Sequence, residues 1–191
     1  MKSIVLIGHR ASGKSTVGFL LARELNLDFV DTDQFISSQT RVSVSDIFMG
    51  RGENSFRELE ERALLAISRV NTVIACGGGT PMYEGSYKVL SQRFGICIYL
   101  KVSPEQLLLR RMNTAGQMNR PLLPGYKDVL DEVYNTQKGR NQVYENLADI
   151  SYDCTKQSVE STVSGLVELL TNHRETGKDL KCPKPAMKSW I

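Results

Sequence analysis

The chain has 191 residues, a net charge of +3, 41% hydrophobic and 24% charged residues. That length carries one domain with a full core, and so mild a charge gives no argument for nucleic acid as a partner. No apolar run approaches the ~20 residues of a membrane helix. Cys76, Cys97, Cys154 and Cys182 form no C-x-x-C pair and read as reduced thiols of a cytoplasmic protein, while His9 and His173 cannot build a metal site between them.

Strand-like and helix-like segments alternate along the chain, which predicts an α/β fold around a parallel sheet. The first strand is 3–7, a β-branched apolar run beginning too early to leave room for a secretory leader. Residues 8–15, Gly8-His9-Arg10-Ala11-Ser12-Gly13-Lys14-Ser15, follow it and match the phosphate-binding P-loop pattern G-x-x-x-x-G-K-[ST]. Its glycines let the backbone turn and aim N–H groups at an anion. Lys14 would reach terminal phosphates and the Ser15 hydroxyl would ligate Mg2+. A helix over 14–25 adds the positive end of its dipole, with Val17, Leu20, Leu21 and Leu25 on one face. His9 reads most simply as a variable loop residue.

Further strands are predicted at 28–30, 72–76, 96–101 and 149–152, and further helices at 33–38, 44–49, 55–69, 84–93, 104–111, 127–146 and 157–172. Ser103-Pro104-Glu105-Gln106 is a strong helix start, with an N-cap Ser and Pro in the first turn. Residues 112–126 carry two Gly and two Pro between helices and read either as a lid or as a plain surface connection. Residues 174–191 hold five basic residues and two prolines and read as a loosely ordered tail after a single domain over 1–173.

Several residues near strand ends suit a ligand crevice. Asp31-Thr32-Asp33 closes the second strand; Asp31 would hold Mg2+ through a water or act with Ser15, and Asp33 would orient or deprotonate an attacking hydroxyl. The alternative is that both only start the next helix. Gly77-Gly78-Gly79 would admit a small ligand, or is a flexible turn. Arg57 would fork onto a carboxylate with Glu60 orienting it, or the two form a surface ion pair. Arg120, in the lid segment, would neutralise a transferring phosphoryl group. The absence of an N-K-x-D sequence argues against a GTPase.

Taken in order, the P-loop with Val17-Gly18, Asp31-Thr32-Asp33, Ile47-Phe48 with Gly52-Glu53, Phe56-Arg57-Glu58-Leu59-Glu60, Gly77-Gly78-Gly79, Arg120-Pro121-Leu122, and Arg140 with Tyr144 and Ala148-Asp149 closely resemble the shikimate kinase family over about residues 3–172. The resemblance implies a three-layer P-loop kinase fold, with a five-stranded parallel sheet in order 2-3-1-4-5 and a lid. It implies ATP-dependent phosphorylation of the shikimate 3-hydroxyl in aromatic amino-acid biosynthesis, using Mg2+; a cytoplasmic protein is expected from the cysteines, and a monomer by default. By similarity Asp33, Lys14 and Arg120 would be catalytic. Ala11, Ser12, Gly13, Lys14, Ser15, Thr16, Arg111, Arg120 and Gln157 would bind ATP. Asp33, Arg57, Gly78, Gly79 and Arg140 would bind shikimate, and Ser15 with Asp31 would serve the metal. The chain departs from the family pattern at Arg10-Ala11-Ser12, where Ala11 is expected to take a negative φ. The segment from Arg111 to Arg120 is slightly longer than in compact members. Kinases for gluconate or a nucleoside monophosphate are the nearest rivals, and a nucleotide-binding regulator without catalysis is a more distant one.

Overall fold

Ile4, Val5, Leu6 and Ile7 are each 0% exposed, as a central strand covered on both faces requires. In the computed structural model, which describes residues 3–67, 71–93, 95–113, 122–123 and 125–176, they form β1 (Ile4–Ile7). Four more strands, β2 (Asp28–Asp31), β3 (Thr72–Ala75), β4 (Ile96–Lys101) and β5 (Ile150–Asp153), complete a sheet in the order β2-β3-β1-β4-β5. All four pairings are parallel. The fold and strand order expected from the family resemblance are those observed.

The alternation along β1 divides the core. Val5 and Ile7 face one apolar layer with Ile74, Tyr99, Phe56, Leu64, Leu90 and Tyr144. Ile4 and Leu6 face the other, with Val73, Leu100, Val17, Leu21, Val163 and Leu166. Helices α3 (Val44–Ile67), α4 (Glu84–Arg93) and α6 (Val129–Leu147) cover the first layer, joined by Ile36 of α2 (Thr32–Thr40); α1 (Lys14–Leu25), α5 (Pro104–Asn113) and α7 (Val159–Thr176) cover the second, which Val133 of α6 also enters. Each fully buried Leu or Ile contributes about 1.5–3 kcal/mol.

Helix ends follow local chemistry. Asp31 caps α2 by accepting the N–H groups of Asp33 (3.0 Å) and Gln34 (3.2 Å), and Asp128 caps α6 through the Asp131 N–H at 2.8 Å. Ser103 accepts the Gln106 N–H at 3.3 Å, as its position before Pro104 predicts.

Three expectations change. The helices predicted at 44–49 and 55–69 run together as α3, and the break between them narrows to Gly52 (φ 78°, ψ 172°), a conformation open to glycine alone. A 3-10 turn, Thr80–Met82, follows the triple glycine where no element was predicted. Helix α7 continues to Thr176, so the first residues assigned to the tail are helical. Among the described residues no helix is long and apolar enough to cross a membrane.

Candidate active site

The carboxyl ends of β1, β2 and β3 lie side by side, since Leu6 and Asp31 both pair with Ala75. The loop after β1 turns through Gly8 to Gly13, and Gly13 takes a left-handed conformation (φ 98°, ψ 9°) at the start of α1. The Lys14 ammonium is buried and donates to the carbonyls of Gly8 (2.8 Å) and His9 (2.7 Å). It thus sits at the mouth of the anion nest. Ser12 is buried and Thr16 exposed.

Ala11 has φ +63°, contrary to the negative value expected. The turn that brings Ser12 N–H onto the His9 carbonyl at 3.1 Å imposes this geometry. The chain accepts the left-handed penalty of about 1–2 kcal/mol to make it.

The Ser15 hydroxyl donates to Asp31 Oδ2 at 2.5 Å, while Oδ1 of the same carboxylate caps α2. One oxygen of Asp31 thus meets Ser15 and the other caps α2. Thr32 Oγ accepts the Gly77 N–H at 3.0 Å, stitching the turn after β2 to the triple glycine. A Cβ on Gly77 would stand 2.6 Å from Glu60 Oε1, 2.9 Å from Asp33 Oδ1 and 3.0 Å from the Thr80 hydroxyl. Asp33 and Glu60 thus both press on the same point beside Gly77.

Arg57 is not a surface residue: it is 7% exposed. It donates from Nη1 to Glu60 Oε2 at 2.6 Å, and from Nη2 and Nε to Glu53 Oε1 at 2.6 and 3.2 Å. The rings of Phe48 and Phe56 lie 5.8 Å from its guanidinium carbon. Any Cβ on Gly79 would fall within that guanidinium. Burial disfavours the Arg57 cation, but Glu60 and Glu53 outweigh it and hold the group above its ordinary range. Burial pushes the Glu60 carboxyl up, opposed by Arg57 and by the hydrogen bond from Thr80.

On α6, Arg140 reaches the Tyr144 hydroxyl, and that hydroxyl donates to the Gly78 carbonyl. Burial pushes the Tyr144 phenol up to about 12, so it remains a donor. His9 is 3% exposed and stands edge-on to Tyr144, with ring centroids 4.9 Å apart. Asn141 Oδ1 accepts from the Tyr99 hydroxyl at 3.0 Å and from His9 Nε2 at 2.8 Å, which places the imidazole proton on Nε2. Burial, with the nearby cations Lys14 and Arg140, lowers the His9 pKa to about 4 against the bond from Asn141.

The sheet edge therefore gathers Lys14, Ser15, Asp31, Asp33, Arg57, Gly77 to Gly79 and Arg140. Arg111 is directed elsewhere, onto Glu132 at 2.5 Å. Its neighbour Arg110 instead bridges the Ser12 carbonyl (3.2 Å) and the Cys154 carbonyl (3.0 Å), joining the P-loop to the turn after β5. Gln157 sits in that turn and accepts from the Tyr152 hydroxyl at 3.2 Å. Arg120 and most of the expected lid lie outside the described residues. Sequence reasoning missed His9, Asn141, Glu53, Arg110 and Glu132. Of these only Glu53, four residues before Arg57, carried a readable spacing signal.

A family model described as shikimate kinase matches residues 10–171. A shikimate kinase of Haemophilus influenzae (strain PittEE) is 35% identical over 172 residues, 90% of this chain and 93% of the relative. One from Mannheimia succiniciproducens is 36% identical over 90% of this chain and 96% of its own length. Among solved structures, shikimate kinase from Acinetobacter baumannii in complex with shikimate superposes with a TM-score of 0.82 at 28% identity, covering 91% of this chain and 95% of that one. With the P-loop, the triple glycine and the buried Arg57 in register on one sheet edge, the chain belongs to the shikimate kinase family.

Proposed function

We propose that the protein transfers the γ-phosphoryl group of ATP to the 3-hydroxyl of shikimate, giving shikimate 3-phosphate and ADP in aromatic amino-acid biosynthesis. The observation that carries this reading is the placement of Asp33 beside Gly77 and of Arg57 beside Gly79, one strand away from Lys14 and Ser15. A small hydroxy acid set there meets a guanidinium for its carboxylate and a carboxylate for its hydroxyl, next to the phosphate loop. The A. baumannii structure, solved with shikimate, supports the choice of acid.

Each residue then has a defined task. Arg57, aimed by Glu60 and Glu53, forks onto the substrate carboxylate, with Arg140 as the second cation. The backbone of Gly78 and Gly79 lines the floor. Asp33 accepts the hydroxyl proton as the O–P bond forms and the bond from phosphorus to the ADP oxygen breaks. Lys14 and Arg120 neutralise charge on the phosphoryl oxygens. Ala11 to Thr16 wrap the phosphates. Arg110 and Gln157 border the nucleotide side, with Arg111 one layer behind them. Ser15 Oγ and Asp31 Oδ2 are hard oxygen donors 2.5 Å apart and fit Mg2+, Asp31 acting through a water. The ion would supply charge neutralisation between the phosphates.

The enzyme is proposed to act as a cytoplasmic monomer; the burial of Cys76, Cys97 and Cys154 as free thiols supports a reducing compartment. A coupled ADP-release assay across shikimate, gluconate and the nucleoside monophosphates tests the substrate. Turnover with shikimate alone is expected, and turnover with gluconate but not shikimate would overturn the reading.

A further inference from the structure

Asn141 has no task in the reaction as set out above, yet its one amide oxygen serves two distant elements. Oδ1 accepts from His9 Nε2 at 2.8 Å, in the P-loop, and from the Tyr99 hydroxyl at 3.0 Å, on β4. His9 is 3% exposed and Tyr99 is fully buried. Burial and the nearby cations keep the imidazole neutral, so it has a single ring proton to donate, and Asn141 receives it.

These two donors enclose a third ring. Tyr144 stands 4.9 Å from the His9 ring, edge-on, and 5.0 Å from the Tyr99 ring, tilted by 32°. It is fully buried and lies one helical turn after Asn141, on α6. Its hydroxyl has Arg140 as one partner and donates to the Gly78 carbonyl as the other. Gly78 itself lies against the P-loop, since a Cβ there would stand 3.2 Å from Arg10 N and 3.5 Å from the Gly8 carbonyl oxygen. The contacts thus run from Asn141 through two rings to Tyr144 and end on Gly78 and Arg140, both on the acid side of the site. The phosphate side is held without them. The P-loop turn closes through its own main chain, with the Ser12 N–H and the Lys14 ammonium both on the His9 carbonyl, and the imidazole takes no part in that closure.

Resting on the proposed phosphoryl transfer, we infer that Asn141 is a positioning residue for the acceptor substrate, and that the His9 side chain, although part of the P-loop, serves that side and not ATP. The amide oxygen keeps the rings of His9 and Tyr99 closed around Tyr144, and Tyr144 keeps the Gly78 carbonyl and Arg140 where the substrate arrives. Loss of the acceptor strands two buried donors, which turn toward other partners and loosen the ring between them.

Asn141→Leu keeps the side-chain volume and removes the acceptor. The expected result is a shikimate KM higher by about 10-fold, with the ATP KM within about twofold of wild type. Tyr144→Phe, which removes the bond to Gly78 directly, should also raise the shikimate KM. In the double variant the increase should fall at least about threefold short of the product of the two, because Asn141 acts through Tyr144. In nitrogen-15 NMR without substrates, the His9 Nε2 proton should exchange slowly in wild type and at least about tenfold faster in Asn141→Leu. A lowered melting temperature with both KM values unchanged would reduce Asn141 to a structural brace and overturn the inference. Equal increases in the two KM values, fully multiplicative effects in the double variant, or unchanged exchange of the His9 proton would overturn it as well. If Asn141→Leu does not fold, His9→Leu and His9→Gln decide, since Gln keeps an N–H for Asn141 and Leu does not. A shikimate KM raised more in His9→Leu than in His9→Gln would support the inference, and equal values would overturn it. A wild-type protein inactive on shikimate counts against the proposed function, whereas the His9 proton still tests the Asn141 anchor.

Discussion

Glu60 holds Arg57 through a 2.6 Å hydrogen bond between two buried side chains, with the Arg57 fork against the Gly79 backbone. The second partner, Glu53, bonds at the same distance but is 60% exposed in its side chain. This asymmetry predicts unequal costs. Glu60→Gln leaves a buried guanidinium short of its charge partner and should destabilise the fold by about 3 kcal/mol. Glu53→Gln, at an exposed pair, should cost under ~1 kcal/mol. Urea unfolding of the two variants checks this. Arg57→Lys should raise the shikimate KM by roughly 10- to 100-fold, because an ammonium cannot replace a two-pronged donor. An unchanged KM would remove Arg57 from the carboxylate site.

Asp33 lies beside Gly77, as Glu60 does. Asp33→Asn keeps the shape and removes the proton acceptor. The expected outcome is a kcat lower by about 10²–10⁴-fold with ATP affinity nearly intact. Steady-state kinetics together with nucleotide titration separate the two effects. Normal turnover would exclude Asp33 from the chemistry.

Ala11 stands at φ +63° in the P-loop. Ala11→Gly relieves about 1–2 kcal/mol of left-handed strain and returns part of that through the freer unfolded chain, for a net gain of about 0.5–1 kcal/mol. The urea midpoint should rise at constant slope.

His9, with a folded pKa of about 4 against 6.5 for a free imidazole, makes stability depend on pH. The folded value is the lower one, so between these pH values the unfolded chain binds the proton and the folded chain does not. Stability from this group is complete above pH ~6.5 and declines as pH falls toward 4, with roughly 2 kcal/mol gone by pH 5. His9→Gln should flatten that slope relative to wild type in urea titrations at pH 7.5 and 5.

What the sequence made legible was the part written in local pattern. Three of the five strands, β1, β3 and β4, are largely apolar runs, and the family motifs placed all five in sheet order. Asp31, Asp33, Arg57 and Gly77 to Gly79 follow strand ends or open a helix, so their shared edge could be anticipated. Contacts between distant segments were not legible. Asn141 meets His9 across 132 positions, and Glu132 meets Arg10 across 122. Arg110 and Arg111 are adjacent in sequence, and only the packing of α5 against α6 determines that Arg111 turns to Glu132 while Arg110 turns to the P-loop. The φ of Ala11 depends on the closure of the whole loop, which no residue preference specifies.

The most direct test of the central claim is phosphorus NMR of the product formed from ATP, Mg2+ and shikimate. The account predicts ADP and a single new phosphomonoester on the 3-hydroxyl, formed by wild type and lost in Asp33→Asn. A phosphoryl group on another hydroxyl, or shikimate left unmodified by the wild-type protein, would contradict it.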